Sequence, residues 1–195
     1  MNCKLNPRWR WGSVPPVPVT DPMYSWLTCR GSLTDRLCAF CEDFRVVVYQ
    51  SGFMRVCPDE AFLRLPGNSS QGATAPVREV SLVCDGAPLV FGHSILLTRE
   101  SGRLARSFRR AGNNSLGSIL FACPDIRRGP VYFKRVNRQH ALYAKSAMLL
   151  GDNPQSFFLA RRSVFSSRSE RICVTEVFSP QLVMFSGSCQ VNRMK

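Results

Sequence analysis

Residues 77–97 read VREVSLVCDGAPLVFGHSILL, and this stretch decides the fold. Two runs rich in aliphatic and aromatic side chains, 77–84 and 89–97, flank Asp85-Gly86, a dipeptide that tolerates the positive φ angles of a tight hairpin turn. The stretch predicts an antiparallel hairpin. Period-two alternation in its first strand sets Arg78 on the side of Val80, Leu82 and Cys84, with Glu79 and Ser81 on the other. Arg78 therefore faces the core.

Working outward, the upstream chain begins with a Pro-rich, aperiodic lead-in over residues 1–20. Ser32 is placed to cap a short helix carrying Leu33, Leu37 and Phe40, and residues 45–56 read as a strand with an irregularity at Ser51-Gly52. Residues 65–76 are a loop. Downstream, Leu104, Ala105, Phe108 and Ala111 mark the apolar face of a helix over 99–111, ended by Gly112-Asn113-Asn114, and Ser115 caps a second helix running to Phe121. A strand over 131–136, a helix over 139–149, and a second antiparallel pair, 157–165 and 171–178 with its turn at 166–170, complete the pattern. Hairpins with interposed helices and no internal repeat imply an α+β fold with an antiparallel sheet.

The 195 residues suit one domain, and 45% hydrophobic with 20% charged residues excludes general disorder. The net charge of +13 is uneven: residues 1–98 hold 9 basic and 8 acidic side chains, residues 99–195 hold 17 and 5. Such a field attracts phosphates, anionic lipid or small polyanions without choosing among them. Arg99, Arg103, Arg106 and Arg110 stripe one helix face, which a solvated surface explains more simply than phosphate binding. Aromatic residues are not interleaved there as a single-strand nucleic-acid platform requires.

Nine cysteines follow no secretory leader, and no apolar run reaches transmembrane length, so a cytoplasmic chain with reduced thiols is expected. Cys38-x-x-Cys41 lacks a second pair at zinc-finger spacing and is read as packing rather than metal or redox chemistry. His93 and His140 are the only histidines, so multi-histidine metal sites are excluded, and no Gly-rich phosphate loop is present.

The informative positions are two charges on an apolar face. In the last strand Glu176 shares its side with Ile172, Val174 and Phe178, while Arg171, Cys173 and Thr175 are expected to face outward. A buried guanidinium or carboxylate needs a partner to offset lost hydration. Either Arg78 and Glu176 pair with each other or with backbone, or they point into a ligand cavity, Arg78 clamping a carboxylate and Glu176 handling a hydroxyl or a proton.

Five segments carry a resemblance. Ser32-Leu33-Thr34-Asp35-Arg36, then Pro76-Val77-Arg78-Glu79-Val80 running into Cys84-Asp85-Gly86, then NSLGSILF at 114–121, then Ala160-Arg161-Arg162-Ser163, then Val174-Thr175-Glu176-Val177-Phe178-Ser179-Pro180 resemble, in that order, bacterial chorismate pyruvate-lyase. The resemblance covers about residues 28–180 and leaves 1–27 as an N-terminal arm and 181–195 as a C-terminal tail. Phe158-Leu159-Ala160 stands where the family often has a Trp, and the stretch 122–156 is longer than in its shortest members.

What the resemblance implies is a single α+β domain with a six-stranded antiparallel sheet, covering helices and an internal, flap-covered cavity. The activity implied is loss of pyruvate from chorismate to give 4-hydroxybenzoate, the first step of ubiquinone synthesis, with no metal and no cofactor. Arg78 corresponds to the residue that binds the ring carboxylate, Leu116 to a ligand contact and Glu176 to the residue at the hydroxyl end. Leu33 stands where the family has an apolar flap residue, typically Met. Arg78 and Glu176 are the expected catalytic pair. Slow product release is expected to limit turnover. A non-catalytic effector-sensing domain of the same fold is the alternative, disfavoured because residues 1–27 are too short for a winged helix. The expected partners are chorismate and 4-hydroxybenzoate alone, with the chain a monomer, no nucleic acid, and at most a transient contact with a membrane-bound pathway enzyme. On this reading the basic second half attracts anions at long range or faces lipid, and does not touch substrate.

Overall fold

In a computed structural model, which describes residues 10–60, 63, 74–97, 102–151 and 156–184, the hairpin around Asp85-Gly86 lies within a seven-stranded antiparallel sheet. The strands are β1 (Phe44–Arg55), β2 (Thr74–Cys84), β3 (Ala87–Leu96), β4 (Arg127–Arg128), β5 (Tyr132–Asn137), β6 (Phe157–Ser167) and β7 (Glu170–Phe178). Their order is β1-β2-β3-β7-β6-β4, with β5 also pairing β6. The extra strand relative to six is the two-residue β4. Asp85 and Gly86 take φ of 48° and 80°, the conformation the turn demands and the reason for this residue pair. The Asp85 carboxylate also accepts from the backbone N–H groups of Glu42 and Asp43, at 3.0 and 2.8 Å, fixing where the chain enters β1. The β1 irregularity falls at Tyr49, between Val48 and Gln50, rather than at Ser51-Gly52.

Among the described residues, α1 (Pro22–Thr28) and α2 (Leu33–Cys38) precede β1, and α3 (Arg103–Arg110), α4 (Leu116–Ala122) and α5 (Tyr143–Leu150) lie between strands. Ser32 and Ser115 cap α2 and α4 as their sequence positions predict. The cap of α3 comes from elsewhere in the chain. Glu170, at the start of β7, accepts from the backbone N–H groups of Leu104 and Ala105 at 3.0 and 2.9 Å. A Cβ on Gly102 would sit 2.3 Å from that carboxylate, so any larger residue there would push the carboxylate off its cap. α1 was not anticipated, although Asp21 accepting from Met23 N and Pro22 in the first turn form a recognisable start. It lies within the segment set apart as an arm, yet Trp26 and Leu27 are fully buried in the core. Trp11 and Gly12 are likewise tied down, Gly12 exchanging two backbone hydrogen bonds with Phe133. Of the loop expected over 65–76, residues 74–76 instead open β2, and the rest of it, Arg99 of the arginine stripe, and tail residues 185–195 lie outside the described residues.

Helices cover both faces. α1 and α2 pack with Val80, Leu82, Val90 and Phe178 on one side; α3 and α4 continue that layer against Leu96, Phe165 and Ile172. On the other side α5 packs with Phe91, Phe158 and Val177. This second layer overturns the expected outward orientation of Cys173 and Thr175, both fully buried, and it buries Glu79 and Ser81 as well. Alternation assigns side chains to two faces correctly, but it does not say that one of those faces meets water.

The reduced-thiol expectation is corrected at one pair. Cys41, just after α2, and Cys84, at the end of β2, form a disulfide with Cα atoms 5.4 Å apart, while Cys38 is exposed and does not pack in the core. Among the described residues no helix is long and apolar enough to cross a membrane.

Candidate active site

α2 and α4 roof a cavity whose floor is the central sheet, and all four residues singled out in the sequence line it: Leu33 from α2, Arg78 from β2, Leu116 from α4 and Glu176 from β7. Strand register explains the convergence. Arg78 on β2 stands opposite Ser94 on β3, which pairs Val174 on β7, which pairs Ser163 on β6. One row away on the same face run Val80, Gly92, Glu176 and Arg161. A Cβ at Gly92 would lie 3.0 Å from Val80 Cγ2, so glycine here keeps the floor low beneath Glu176. The roof is held by a hydrogen bond between the hydroxyls of Thr34 on α2 and Ser115 before α4, with Gly117 fitting closely against both.

Arg78 and Glu176 do not pair with each other. Arg78 is 3% exposed and its Nη2 donates to the carbonyls of Gly112 and Asn114, at 2.8 and 2.9 Å. No described carboxylate offsets its charge. Burial draws its pKa below the ordinary arginine value, but a guanidinium in a protein stays protonated. Glu176 instead accepts from Arg161 Nε at 2.5 Å through Oε2. Arg161, 1% exposed, spends its Nη1 on the carbonyls of Trp26, Leu27 and Cys29, the C-terminal end of α1. Those carbonyls have no intrahelical donor, so the guanidinium caps α1 and orients Glu176 at once. Burial opposes the charge of Arg161, but Glu176 outweighs it and raises the pKa.

Two charged cavity residues escaped the sequence reading, Arg128 and Arg161, and both come from the basic half expected not to touch substrate. Arg161 had a signal: in an arginine doublet within an apolar strand, one member must face each side. Arg128 had none, being one of six basic residues between 127 and 145. Its Nε donates to Ser163 Oγ at 2.9 Å and its Nη1 to the carbonyls of Cys29 and Arg30 at 3.3 and 3.1 Å. Three guanidiniums and one carboxylate line the cavity, a formal balance of +2.

A second cluster lies behind the sheet, where Glu79, His93, Thr175 and Arg162 form one cross-strand row. Arg162 contacts Asp59 Oδ2 at 2.9 Å and Glu60 Oε1 at 3.2 Å and donates to Thr175 Oγ1. His93 bridges Glu79 at 3.0 Å and Glu60 at 3.3 Å, and Lys145 on α5 meets the other Glu79 oxygen at 2.6 Å. Trp11 and His140 both contact Asp59 Oδ2. Burial disfavours the His93 cation, but Glu60 and Glu79 outweigh it and lift its pKa to about 9. Cys57, Glu60 and His93 do place three donor atoms within 4.8 Å of one another. However, both His93 nitrogens already face carboxylates and Glu60 faces Arg162, so these groups are engaged in an ionic network, in which Asp59 Oδ1 alone among the described buried side-chain oxygens and nitrogens lacks a hydrogen-bond partner.

Comparison with known proteins gives a consistent family. The chorismate lyase family model matches residues 11–187. A "Probable chorismate pyruvate-lyase" of Nitrosomonas europaea is 38% identical over 92% of this chain and 98% of that protein. One of Dechloromonas aromatica is 41% identical over 84% and 90%. Among solved structures, the effector domain of PhnF from Mycobacterium smegmatis superposes with a TM-score of 0.55 at 15% identity, covering 77% of this chain and 90% of that one, which is a likeness of fold.

Proposed function

The chain belongs to the chorismate lyase family, and on that premise we propose that it eliminates pyruvate from chorismate to leave 4-hydroxybenzoate, at the entry to ubiquinone synthesis. The observation that carries this reading is a largely apolar cavity between α2, α4 and the sheet with a surplus of two positive charges, suited to a small dianion. Arg78 anchors the ring carboxylate, with Leu33 and Leu116 holding the ring faces. Glu176 lies at the oxygen end, where its Oε1 has no described protein donor.

The reaction breaks the bond from ring C3 to the ether oxygen and removes the hydrogen at C4. The ring becomes aromatic, and the departing enolpyruvate takes up a proton to become pyruvate. Aromatisation supplies the driving force, so the protein contributes chiefly by fixing the eliminating conformer and placing Glu176 for the C4 proton or hydroxyl. Arg161 is a positioning residue for Glu176. The test is purified protein with chorismate, following pyruvate by a coupled dehydrogenase and 4-hydroxybenzoate by chromatography. Equimolar products are expected. Binding of chorismate without pyruvate release would replace the lyase reading with a ligand-binding module.

A further inference from the structure

Resting on that reading, the geometry points to Arg128 as a second anion anchor, which holds the enolpyruvyl carboxylate that leaves as pyruvate. Chorismate carries two carboxylates, and Arg78 accounts for one. Of the other two cavity guanidiniums, Arg161 has its charge offset by the ion pair with Glu176 and its Nη1 engaged by three backbone carbonyls. Arg128 is held by Ser163 Oγ and two carbonyls through Nε and Nη1, which fixes its plane and leaves Nη2 with no protein acceptor among the described residues. Glu176 favours its charge from a distance and Arg161 opposes it, but no described carboxylate comes within 4.0 Å of it.

Its position fits the span of the ligand. Ser163, which receives Nε, stands at the β6 end of the cross-strand row that begins with Arg78 on β2. Three strand spacings separate the ends of that row, roughly 14 Å between backbones, and the two long side chains lean inward from them. Glu176 lies between, one row over on β7. A ring with its carboxylate at Arg78 and its hydroxyl at Glu176 therefore directs the C3 side chain toward Arg128. The Arg128 guanidinium also lies beside the rings of Phe121 and Phe165, at 5.8 and 5.5 Å, which favour its charge and hold it at the cavity wall. 4-Hydroxybenzoate lacks that carboxylate, so Arg128 distinguishes substrate from aromatic product while Arg78 does not.

The experiment compares Arg128→Gln with the wild type, using chorismate, 4-hydroxybenzoate and the unreactive dianion 3-(1-carboxyvinyloxy)benzoate with its side-chain monomethyl ester. We expect KM for chorismate to rise about 10- to 100-fold in the variant, with the 4-hydroxybenzoate inhibition constant within about twofold of wild type. Wild-type protein should bind the dianion about 10-fold or more tighter than the monoester, and Arg128→Gln should erase that preference. Equal wild-type affinity for dianion and monoester overturns the proposal, and this arm needs no variant to fold. Parallel loss of chorismate and 4-hydroxybenzoate binding in Arg128→Gln also overturns it. Failure of wild-type protein to release pyruvate sinks the lyase reading instead, a distinct result.

Discussion

Arg161 and Arg162 are neighbours on one strand and both are buried, yet they face opposite sides of the sheet and meet opposite surroundings. Behind the sheet, Arg162, His93 and Lys145 meet Asp59, Glu60 and Glu79, three positive groups for three negative ones with His93 protonated. In front, Arg161 and Glu176 cancel, while Arg78 and Arg128 are held by neutral carbonyls and a hydroxyl. Burial of charge is thus no mark of function by itself. What separates the two faces is whether the protein completes the ion pairs or leaves them for a ligand to complete.

Removing one member of each set tests that distinction. Arg162→Met should break the balanced network and strand Asp59 and Glu60 in the interior, costing about 3–5 kcal/mol of stability. Chorismate turnover per folded molecule should stay near wild type, because Arg162 points away from the cavity. Urea titration with activity measured on the folded fraction reads both quantities. A stable variant, or a folded one without turnover, would erase the contrast between the faces.

Arg78→Met should do the reverse. The native state leaves that guanidinium without a carboxylate, so its loss should cost little stability while lowering chorismate turnover by about a hundred- to a thousandfold, with 4-hydroxybenzoate binding weakened in parallel. Calorimetry of folding and of product binding separates these effects. A large fall in the melting temperature would place Arg78 with the structural charges instead.

The front face was far more legible in the sequence than the rear one. Arg78 and Glu176 stood out because each interrupts an apolar alternation, a signal that survives without knowledge of what covers the sheet. Leu33 and Leu116 carried no such signal and came only through resemblance to a family. On the rear face Glu79 and Thr175 looked ordinary, since a polar residue opposite an apolar one is what a solvated face shows. Their burial depends on α5 and on residues 57–60, which approach from distant parts of the chain, and Asp59 and Glu60 sit in a segment without periodicity. The Cys41–Cys84 bond and the Glu170 cap of α3 were hidden for the same reason: each joins positions more than forty residues apart. Local pattern carries the elements, whereas the pairing of charges is a tertiary fact.

The smallest effect concerns how the rear network responds to pH. His93 is faced by Glu60 from the 57–60 segment, by Glu79 from β2, by Lys145 of α5 through Glu79, and by Arg162 of β6 through Glu60. Burial works against its charge, but the two carboxylates raise its folded pKa to about 9, above the ordinary 6.5. A group whose pKa rises on folding stabilises fully below its unfolded pKa, and that contribution fades as pH climbs through the folded value. Stability should therefore fall by about 2 kcal/mol between pH 6.5 and 8.5. Glu60 and Glu79 are shifted the other way: burial resists their ionisation, but the cations around them hold both pKa values below the ordinary 4.5. Their contribution is present above that value and is lost on acidification, which leaves a maximum near pH 5–6.5. His93→Gln should flatten the alkaline side and leave the acid side sloping. Chemical denaturation at half-unit pH steps reads the slopes, and an unchanged alkaline slope in His93→Gln would mean that the imidazole is neutral and the rear face is not charge-balanced.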